Sequence, residues 1–329
     1  MKNRDSPYFS RLAAIVLALA LSPAAIAQSG KVYRIGFLET TSASANRANL
    51  DAFLRGIREA GYVEGKNLVI DYRSADGRAE RFTDLAKDLV RARPDVIVTR
   101  GSTATHAATK AGSVPIVMSA VADPVGARIV TNLARPGGNV TGLSALVSEL
   151  GAKRMQIIKE MVPGVRRVGF MINMANPVSP GQWQEIERGA GPLGLEARLF
   201  DVRSEEALRR AFEQAQKGQL DAMLATGEAV MAANRRLLAE LEIKHRMPVM
   251  HTQREFVDAG GLISYGVHYP DLYYRTAGYV DKILKGAKPG DLPIEQPSKL
   301  KLVVNLKTAK ALGIQFSREF LARTDEAIQ

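Results

Sequence analysis

The chain has 329 residues, of which 46% are hydrophobic and 24% charged, and it contains four histidines and no cysteine. This length suits about two domains, and the composition excludes a disordered or fibrous protein. The lack of cysteine excludes disulfides, thiolate metal sites and cysteine nucleophiles. No two histidines have the i, i+4 spacing of a helical zinc site, so we expect no metal centre.

The first 27 residues have the three-part layout of a secretory signal peptide. Basic residues precede an apolar core at 12–21, and an Ala-x-Ala pattern ends at Ala27. The core is too short for the roughly 20 residues that span a bilayer. We therefore expect cleavage before Gln28, release into the periplasm and no stable membrane insertion of the mature chain. Without cysteine to carry a lipid, a lipoprotein is excluded.

The formal net charge of +11 comes from basic residues that are dispersed along the chain, in runs no longer than two. A nucleic-acid-binding protein concentrates such residues on one face or one element. We therefore expect an ordinary solvated basic surface and no nucleic-acid partner.

Short apolar runs alternate with longer amphipathic stretches in the first half of the mature chain. The apolar runs predict strands at 32–38, 67–72, 95–99, 115–118 and 139–142. The amphipathic stretches predict helices at 49–60, 79–91 and 103–111, and a turn with a short helix at 123–132. Strands that alternate with helices indicate βαβ units and a parallel sheet covered on both faces.

The same alternation starts again after a turn-rich break near 135–148. It predicts strands at 167–172, 196–202, 221–225, 248–250 and 262–265, and helices at 150–161, 181–193, 205–216 and 229–245, with a helical turn at 255–259. Two such series predict an α/β fold with two doubly wound parallel-sheet lobes. A single closed eight-stranded barrel is the alternative at this length.

The last part of the chain predicts a helix at 271–285, an extended proline-rich segment at 286–297, a strand at 301–305 and a helix at 306–312. These elements are too few for a third core, so we expect them to complete the two lobes by crossing between them. The expected domains are the signal peptide at 1–27, an N-terminal lobe at 31–143 plus 267–292, and a C-terminal lobe at 144–266 plus 293–329.

Small polar residues follow many of the predicted strands, at the carboxyl ends where open α/β sheets bind ligands. The candidate ligand-binding residues are Ser42, Ser102, Thr103, Asp123, Asn173, Asn176, Gly227 and Tyr265. Hydroxyls beside the free N–H groups of a helix N-terminus attract a carboxylate or phosphate. Helix capping alone explains any single one of them, but a polar cluster at strand ends in both lobes favours a ligand cleft between the lobes.

We expect the two lobes to contribute different groups to this cleft. Ser102 and Thr103 are expected to cap a helix and form a neutral anion site, with Ser42 facing the same crevice. Asn176 and Tyr265 are expected to close over the ligand from the second lobe.

The motifs of common enzyme classes are absent from the sequence, which has no G-x-G-x-x-G after a strand, no P-loop and no G-x-S-x-G elbow. Asp123 and Glu39 are candidates for a carboxylate pair, and His106 for a base. However, Asp123 followed by Pro124 is typical of a helix N-terminus, and His106 is typical of a packing or surface residue. We therefore expect no catalytic residue and no cofactor.

Segments along nearly the whole mature chain resemble the periplasmic substrate-binding proteins of ABC transporters with the type I fold, in particular the TrpX-like family. The matching segments are GYVEGKN at 61–67, PIVM at 115–118, DPVG at 123–126, RPGGNVTG at 135–142, ILKG at 283–286, DLPIEQP at 291–297 and NLKTAKALG at 305–313. The resemblance implies two lobes on a three-stranded hinge that close over a small ligand, with an ABC permease and an ATPase as partners.

The leading hypothesis is therefore capture of a small organic solute, carboxylate-bearing or aromatic, for import. The alternative is a ligand-sensing module that presents its closed form to a membrane receptor. Relatives thought to bind amino acids tend to carry an acidic residue near 226–227 that pairs with the ligand ammonium, whereas here Gly227 is followed by Glu228. This departure argues against an α-amino acid. Trp183, Tyr265 and Tyr269 are candidates to stack on a planar ligand, although each is more typical of core or hinge packing.

Overall fold

The computed structural model describes residues 31–145, 150–297 and 299–329, so the expected signal peptide lies outside the described residues. All helices and strands given below lie within residues 33–329, which form one unit.

The first sheet has five parallel strands in the order β2-β1-β3-β4-β5. Its strands are β1 (Tyr33–Glu39), β2 (Leu68–Ser74), β3 (Val96–Arg100), β4 (Ile116–Val121) and β5 (Val140–Ser144). Its helices are α1 (Arg47–Glu59), α2 (Phe82–Arg91) and α3 (Ser102–Ala111). Every residue of β3, β4 and β5 is buried, because helices cover both faces of the sheet.

The second sheet has seven strands in the order β12-β11-β10-β9-β8-β6-β7, and the antiparallel pair joins β10 to β11. Its strands are β6 (Arg167–Ile172), β7 (Glu196–Asp201), β8 (Ala222–Ala225), β9 (Val249–His251), β10 (Ile263–Val267), β11 (Leu300–Asn305) and β12 (Glu326–Ile328). Its helices are α4 (Gly151–Met161), α5 (Ser179–Ala190), α6 (Glu205–Lys217), α7 (Ala229–Ala233), α8 (Arg235–His245), α9 (Arg254–Asp258), α11 (Leu306–Leu312) and α12 (Arg318–Ala322).

The chain passes between the two sheets three times. After β5 it enters the second sheet, and after β10 it returns as α10 (Tyr269–Leu284), which packs against α1 and buries Tyr273 and Val280 in the core of the first sheet. It then runs beside β5, where the backbone N–H of Ser144 donates to the carbonyl of Glu295 at 2.9 Å, before it forms β11. We call the first sheet with α1–α3 and α10 the first lobe, and the second sheet with its helices the second lobe.

Two open, mainly parallel sheets confirm the predicted α/β fold with two lobes, and they exclude the single closed barrel. Each face of the first sheet has its own core, because alternate strand residues point to opposite faces. The boundaries proposed from the sequence, 31–143 plus 267–292 and 144–266 plus 293–329, stay a prediction.

Three local features differ from the expectations. Residues 123–132 form turns without a helix, since Arg128 has a φ of +56°, in the left-handed region that ends a helix. The helix predicted at 229–245 is divided into α7 and α8 at Asn234, whose side-chain amide donates to the carbonyl of Val230 at 2.8 Å. The short elements α12 and β12 were not expected, because five and three residues carry too little periodicity.

Gly142 in β5 lies directly against the backbone of β4. Its φ is +128°, and a Cβ there would lie 2.2 Å from the carbonyl oxygen of Met118 and 2.5 Å from its nitrogen. Because those atoms belong to the paired strand, we expect Gly142→Ala to lower the free energy of unfolding by about 2 kcal/mol, as measured by urea denaturation. The control is Gly278→Ala in α10, where no atom lies within 4 Å of the added Cβ. We expect this control to be neutral or slightly stabilising, and equal stability of the two variants would contradict the prediction.

Candidate functional site

A cavity of about 80 Å³ lies between the two lobes. Residues that follow β1, β3 and β4 line it from the first lobe, and residues that follow β6, β8 and β9 line it from the second lobe. The start of α10 also lines it, through Tyr269. The cavity therefore occupies the carboxyl ends of the strands, where the fold class places ligands.

Five of the eight residues expected from the sequence line this cavity, and they are Ser102, Thr103, Asn173, Asn176 and Gly227. They come from both lobes, so the structure brings together residues that are far apart in the chain. Their role in binding a ligand stays a prediction.

The other three residues lie elsewhere. Ser42 lines a wider groove, and its hydroxyl accepts the N–H of Ala45 at 3.3 Å in the turn before α1. The carboxylate of Asp123 accepts the N–H of Gly126 at 2.8 Å and holds a surface turn. Tyr265 lies in β10 and packs against the core of the second lobe, as Trp183 does. Both aromatic residues therefore pack as core residues do, and Tyr269 is the aromatic candidate that lines the cavity.

The N-terminus of α3 lies on the first-lobe side of the cavity. Its N-cap is Gly101, so Ser102 and Thr103 are the first helical residues and not the cap that we expected. The N–H groups of a first helical turn have no acceptor within the helix. The Ser102 hydroxyl is buried and has no hydrogen-bond partner among the described residues. These donors, together with the positive end of the helix dipole, suit a carboxylate.

Glu228 provides a carboxylate from the second lobe. It lines the cavity and accepts hydrogen bonds from the backbone N–H of Asn173, from Nδ2 of Asn176 at 2.8 Å and from the Ser179 hydroxyl at 3.2 Å. Burial raises the pKa of Glu228 to about 7, although these donors oppose the shift. A cationic group bound beside it would favour the ionised carboxylate.

A side chain at position 227 would displace the amide of Gln253, because a Cβ there would lie 1.9 Å from its Nε2. The acidic group in this part of the cavity therefore belongs to Glu228, one residue later. The sequence argument against an α-amino acid depended on Gly227 lacking a charge, and Glu228 places a carboxylate in the same cavity one residue later.

Arg100, at the end of β3, joins the two lobes beside the cavity. Its guanidinium donates to Asn46 at 3.0 Å in the first lobe, and to Gln253 at 3.1 Å and Glu255 at 3.2 Å in the second. It also lies 4.5 Å from the ring centre of Tyr269. Only 5% of the residue is exposed, so this set of contacts is largely withdrawn from solvent.

Four residues that line the cavity carry a buried oxygen with no hydrogen-bond partner among the described residues. These atoms are Thr40 Oγ1 and Ser102 Oγ from the first lobe, and Gln182 Oε1 and Thr252 Oγ1 from the second. A buried polar group without a partner costs about 1–3 kcal/mol, so the cavity suits a ligand that carries polar groups toward both lobes.

Small apolar side chains form the rest of the lining, together with the ring of Phe82. They are Ala79, Ala104, Ala120, Ala122 and Ala229. Alanines leave space that larger residues would fill, so this wall can accommodate an apolar or aromatic group of the ligand.

Several of these residues were missed by the sequence reasoning, namely Thr40, Phe82, Arg100, Gln182, Glu228, Thr252 and Gln253. A charged residue directly at the end of a buried strand was a usable signal for Arg100. Glu228, Thr252 and Gln253 lie within three residues of a strand end, which was a usable signal for them. Gln182 lies inside α5, away from any strand end, and gave no signal of this kind.

Within residues 31–145, 150–297 and 299–329, no group of three or more histidine, aspartate or glutamate side chains could hold a metal ion. In the same ranges, no helix is long and apolar enough to cross a membrane.

A family model described as ABC transporter substrate binding protein matches residues 34–328. The chain belongs to this family. The match confirms the resemblance that the sequence segments indicated. Substrate-binding proteins of this family bind solutes rather than catalyse reactions, and they work in the periplasm or outside the cell.

Three relatives are similar to most of this substrate-binding protein. A conserved domain protein from Vibrio cholerae is 28% identical with a TM-score of 0.83, covering 90% of this chain and 100% of that chain. An ABC domain from Streptococcus pneumonia in complex with L-Trp is 26% identical with a TM-score of 0.82, covering 91% of this chain and 100% of that chain. A tyrosine-binding protein from Clostridioides difficile is 25% identical over 266 residues, which are 80% of this chain and 76% of that protein.

More distant structures share the fold alone. A carbohydrate transporter solute-binding protein from Agrobacterium radiobacter, in complex with D-arabinose, is 14% identical with a TM-score of 0.57 over 83% of this chain and 94% of that chain. Such neighbours confirm the type I periplasmic-binding fold.

Proposed function

We propose that this protein is the solute-binding component of an ABC importer and that its ligand is an α-amino acid with an apolar or aromatic side chain. One observation carries the proposal. The same cavity is lined by the N-terminus of α3, where the Ser102 hydroxyl has no hydrogen-bond partner among the described residues, and by the partly buried carboxylate of Glu228.

The two charged groups of an amino acid match these two features. The N-terminal N–H groups of α3 and the Ser102 hydroxyl suit the carboxylate of the ligand. The ammonium suits Glu228, which is partly buried and accepts hydrogen bonds from neutral donors. A ligand with both charges would bind to the two lobes at once and so stabilise their closed arrangement.

The uncharged part of the lining favours an apolar side chain. Alanines and Phe82 form an apolar wall, and Tyr269 also lines the cavity. The names of two relatives support the same class, since one is a tyrosine-binding protein and another was solved in complex with L-Trp.

The family and the first residues of the chain support a location outside the cytoplasm. We infer export through the signal peptide, cleavage between Ala27 and Gln28, and delivery of the ligand to an ABC permease that a separate ATPase drives. Comparing uptake of the identified amino acid by cells with and without this protein tests the delivery step, and equal uptake would contradict it.

A thermal-shift screen of the purified protein against the 20 common amino acids, sugars and small carboxylic acids tests the ligand class. A ligand at about 100 times its dissociation constant adds ~2.7 kcal/mol of stability, which gives a clear shift. We expect an amino acid with an apolar or aromatic side chain to give the largest shift. Analogues of that amino acid without the ammonium or without the carboxylate should give none, and a sugar as the best ligand would contradict the proposal.

Removing the hydroxyls at the start of α3 should weaken binding of this amino acid. We expect Ser102→Ala combined with Thr103→Ala to cost about 1–3 kcal/mol of binding free energy, measured by calorimetry, because one or two hydrogen bonds to the carboxylate are lost. Folding should lose about 1 kcal/mol or less, since Gly101 and not these residues is the N-cap. An unchanged affinity would remove both residues from the site.

A further inference from the structure

Two polar residues of the second lobe line the cavity but are not needed to bind the carboxylate or the ammonium of an amino acid. Gln182 lies in α5 and Thr252 directly follows β9, and both line the cavity. They are 6% and 2% exposed. Gln182 Oε1 and Thr252 Oγ1 have no hydrogen-bond partner among the described residues. We refer to these two residues as the Gln182–Thr252 pair.

The surroundings of the pair are mostly apolar. Both residues also line a small void of about 10 Å³ that adjoins the cavity, together with the apolar Phe170, Ile186 and Leu224. Two polar residues line the same void, and each donates a hydrogen bond to a backbone carbonyl. Thr226 donates its hydroxyl to the carbonyl of Met171 at 3.2 Å, and Arg154 donates its Nε to the carbonyl of Tyr265 at 2.8 Å.

The chemistry of the pair restricts what can satisfy it. An amide oxygen only accepts hydrogen bonds, and a threonine hydroxyl both accepts and donates. In this orientation of the Gln182 amide, an acidic or carbonyl group would leave Oε1 facing another acceptor. An N–H or O–H group would satisfy it, and the apolar surroundings make a missing donor costly.

We propose that the Gln182–Thr252 pair accepts a hydrogen bond from an N–H or O–H group on the ligand side chain. The protein then selects an amino acid whose side chain carries such a donor over one of the same shape without it. This inference rests on the proposed function, in which α3 holds the carboxylate and Glu228 the ammonium, so that the side chain is the group left for the pair. A buried site that hydrogen-bonds a ligand group discriminates against an analogue lacking that group.

Two matched ligand pairs test this in calorimetric titrations. The first is L-tyrosine and L-phenylalanine, which differ by a hydroxyl. The second is L-tryptophan and its benzothiophene analogue, in which sulfur replaces the indole N–H. We expect the unsubstituted protein to prefer the donor-bearing member of at least one ligand pair by about tenfold or more. In Gln182→Met combined with Thr252→Val, this preference should fall below about twofold, through weaker binding of the donor-bearing member alone.

Ser102→Ala is the matched control, because it removes a contact to the carboxylate that both members share. It should weaken both members of a ligand pair by the same factor and keep the preference. Urea unfolding checks that the double variant folds. If it does not fold, Thr252→Val alone, which keeps the shape of the side chain, carries the same test.

The outcomes separate this inference from the proposed function. If an amino acid binds but neither ligand pair shows a preference, the inference is overturned and the proposed function stands. If the double variant weakens binding of both members of a ligand pair equally, Gln182 and Thr252 contact a group that the two ligands share, such as the ammonium. This result also overturns the inference. If no amino acid binds the unsubstituted protein, both fail.

Discussion

Glu228→Gln is expected to weaken binding of the amino acid by about 3–5 kcal/mol, because it leaves the ligand ammonium buried without a negative partner. The substituted amide has nearly the shape of the carboxylate, so the cavity keeps its volume. Calorimetry measures the loss, and circular dichroism checks the fold. The control is Glu205→Gln in the first turn of α6, whose side chain is 54% exposed and pairs with Arg209 at the surface. Affinity within twofold of the unsubstituted protein would show that Glu228 does not contact the ligand.

The pH dependence of binding provides a second measurement on the same residue. Burial raises the pKa of Glu228 to about 7 in the ligand-free protein, and binding of an ammonium lowers that pKa. Binding therefore requires loss of a proton below pH 7, and affinity should fall by up to about tenfold per pH unit there. In Glu228→Gln this slope should disappear, and a slope that persists would assign the titration to another group.

The stability of the ligand-free protein should change with pH in the opposite direction. The pKa of Glu228 is raised from 4.5 to about 7 on folding, so the folded state holds a proton that the unfolded state has released. The contribution of this group to stability is therefore present below about pH 4.5 and is lost as the pH rises toward 7. Glu39, whose pKa burial also raises to about 7, contributes with the same sign.

Arg100→Met is expected to lower the free energy of unfolding by about 3 kcal/mol and to open the two lobes. The substitution keeps much of the side-chain volume but removes the donor to Gln253 and Glu255 in the second lobe. It also removes the positive charge next to Glu39, which is fully buried and accepts the Tyr273 hydroxyl at 2.6 Å. A buried carboxylate that loses its cationic neighbour is costly, although protonation of Glu39 relieves part of this cost.

Urea denaturation measures the stability of this variant, and small-angle X-ray scattering measures the separation of the lobes through the radius of gyration. The control is Arg235→Met, which removes another contact between the lobes. Arg235 donates to the carbonyl of Ala45 at 3.1 Å from a half-buried position, so its loss should cost about 1 kcal/mol or less. A radius of gyration that stays the same in Arg100→Met would show that the closed arrangement does not depend on this residue.

The fold was predictable from the sequence because the spacing of the apolar residues changes, at nearly every element, between that of a strand and that of a helix. Buried runs such as VIVTR at 96–100 leave few alternatives to a parallel strand with helices on both faces. The elements that were missed or misjudged are short, such as β12 with three residues, or depend on one backbone angle, such as that of Arg128. Those features carry almost no periodic signal.

The candidate site was predictable only in part, for a different physical reason. The rule that open α/β sheets bind ligands at the carboxyl ends of their strands identified five residues that line the cavity. They are Ser102, Thr103, Asn173, Asn176 and Gly227. That rule considers one sheet at a time. The contacts of Arg100 with Gln253 and Glu255 depend on how the two sheets face each other, which no local pattern encodes.

The limit of local reasoning is clearest at Glu228. The acid was displaced by one residue from the position expected from the resemblance, and an offset of one residue decides which side chain enters a cavity. In the structure, the side chain of Gln253 occupies the space beside Gly227. The carboxylate that lines the cavity belongs to Glu228. The sequence shows that Glu228 follows Gly227, but not which of the two positions carries a side chain into the cavity.

The return of the chain as α10 has a consequence for the order in which the protein folds. The core of the first lobe includes Tyr273 and Val280 of α10, yet this helix follows β10, so most of the second lobe lies between it and β5 in the sequence. A nascent chain that ends at β5 therefore leaves the apolar side of α1 uncovered, including Phe53 and Ile57. Contacts so distant in sequence carry a large loop-closure cost and slow folding. The first lobe to be synthesised is thus completed late, and the two lobes should fold in a single cooperative transition.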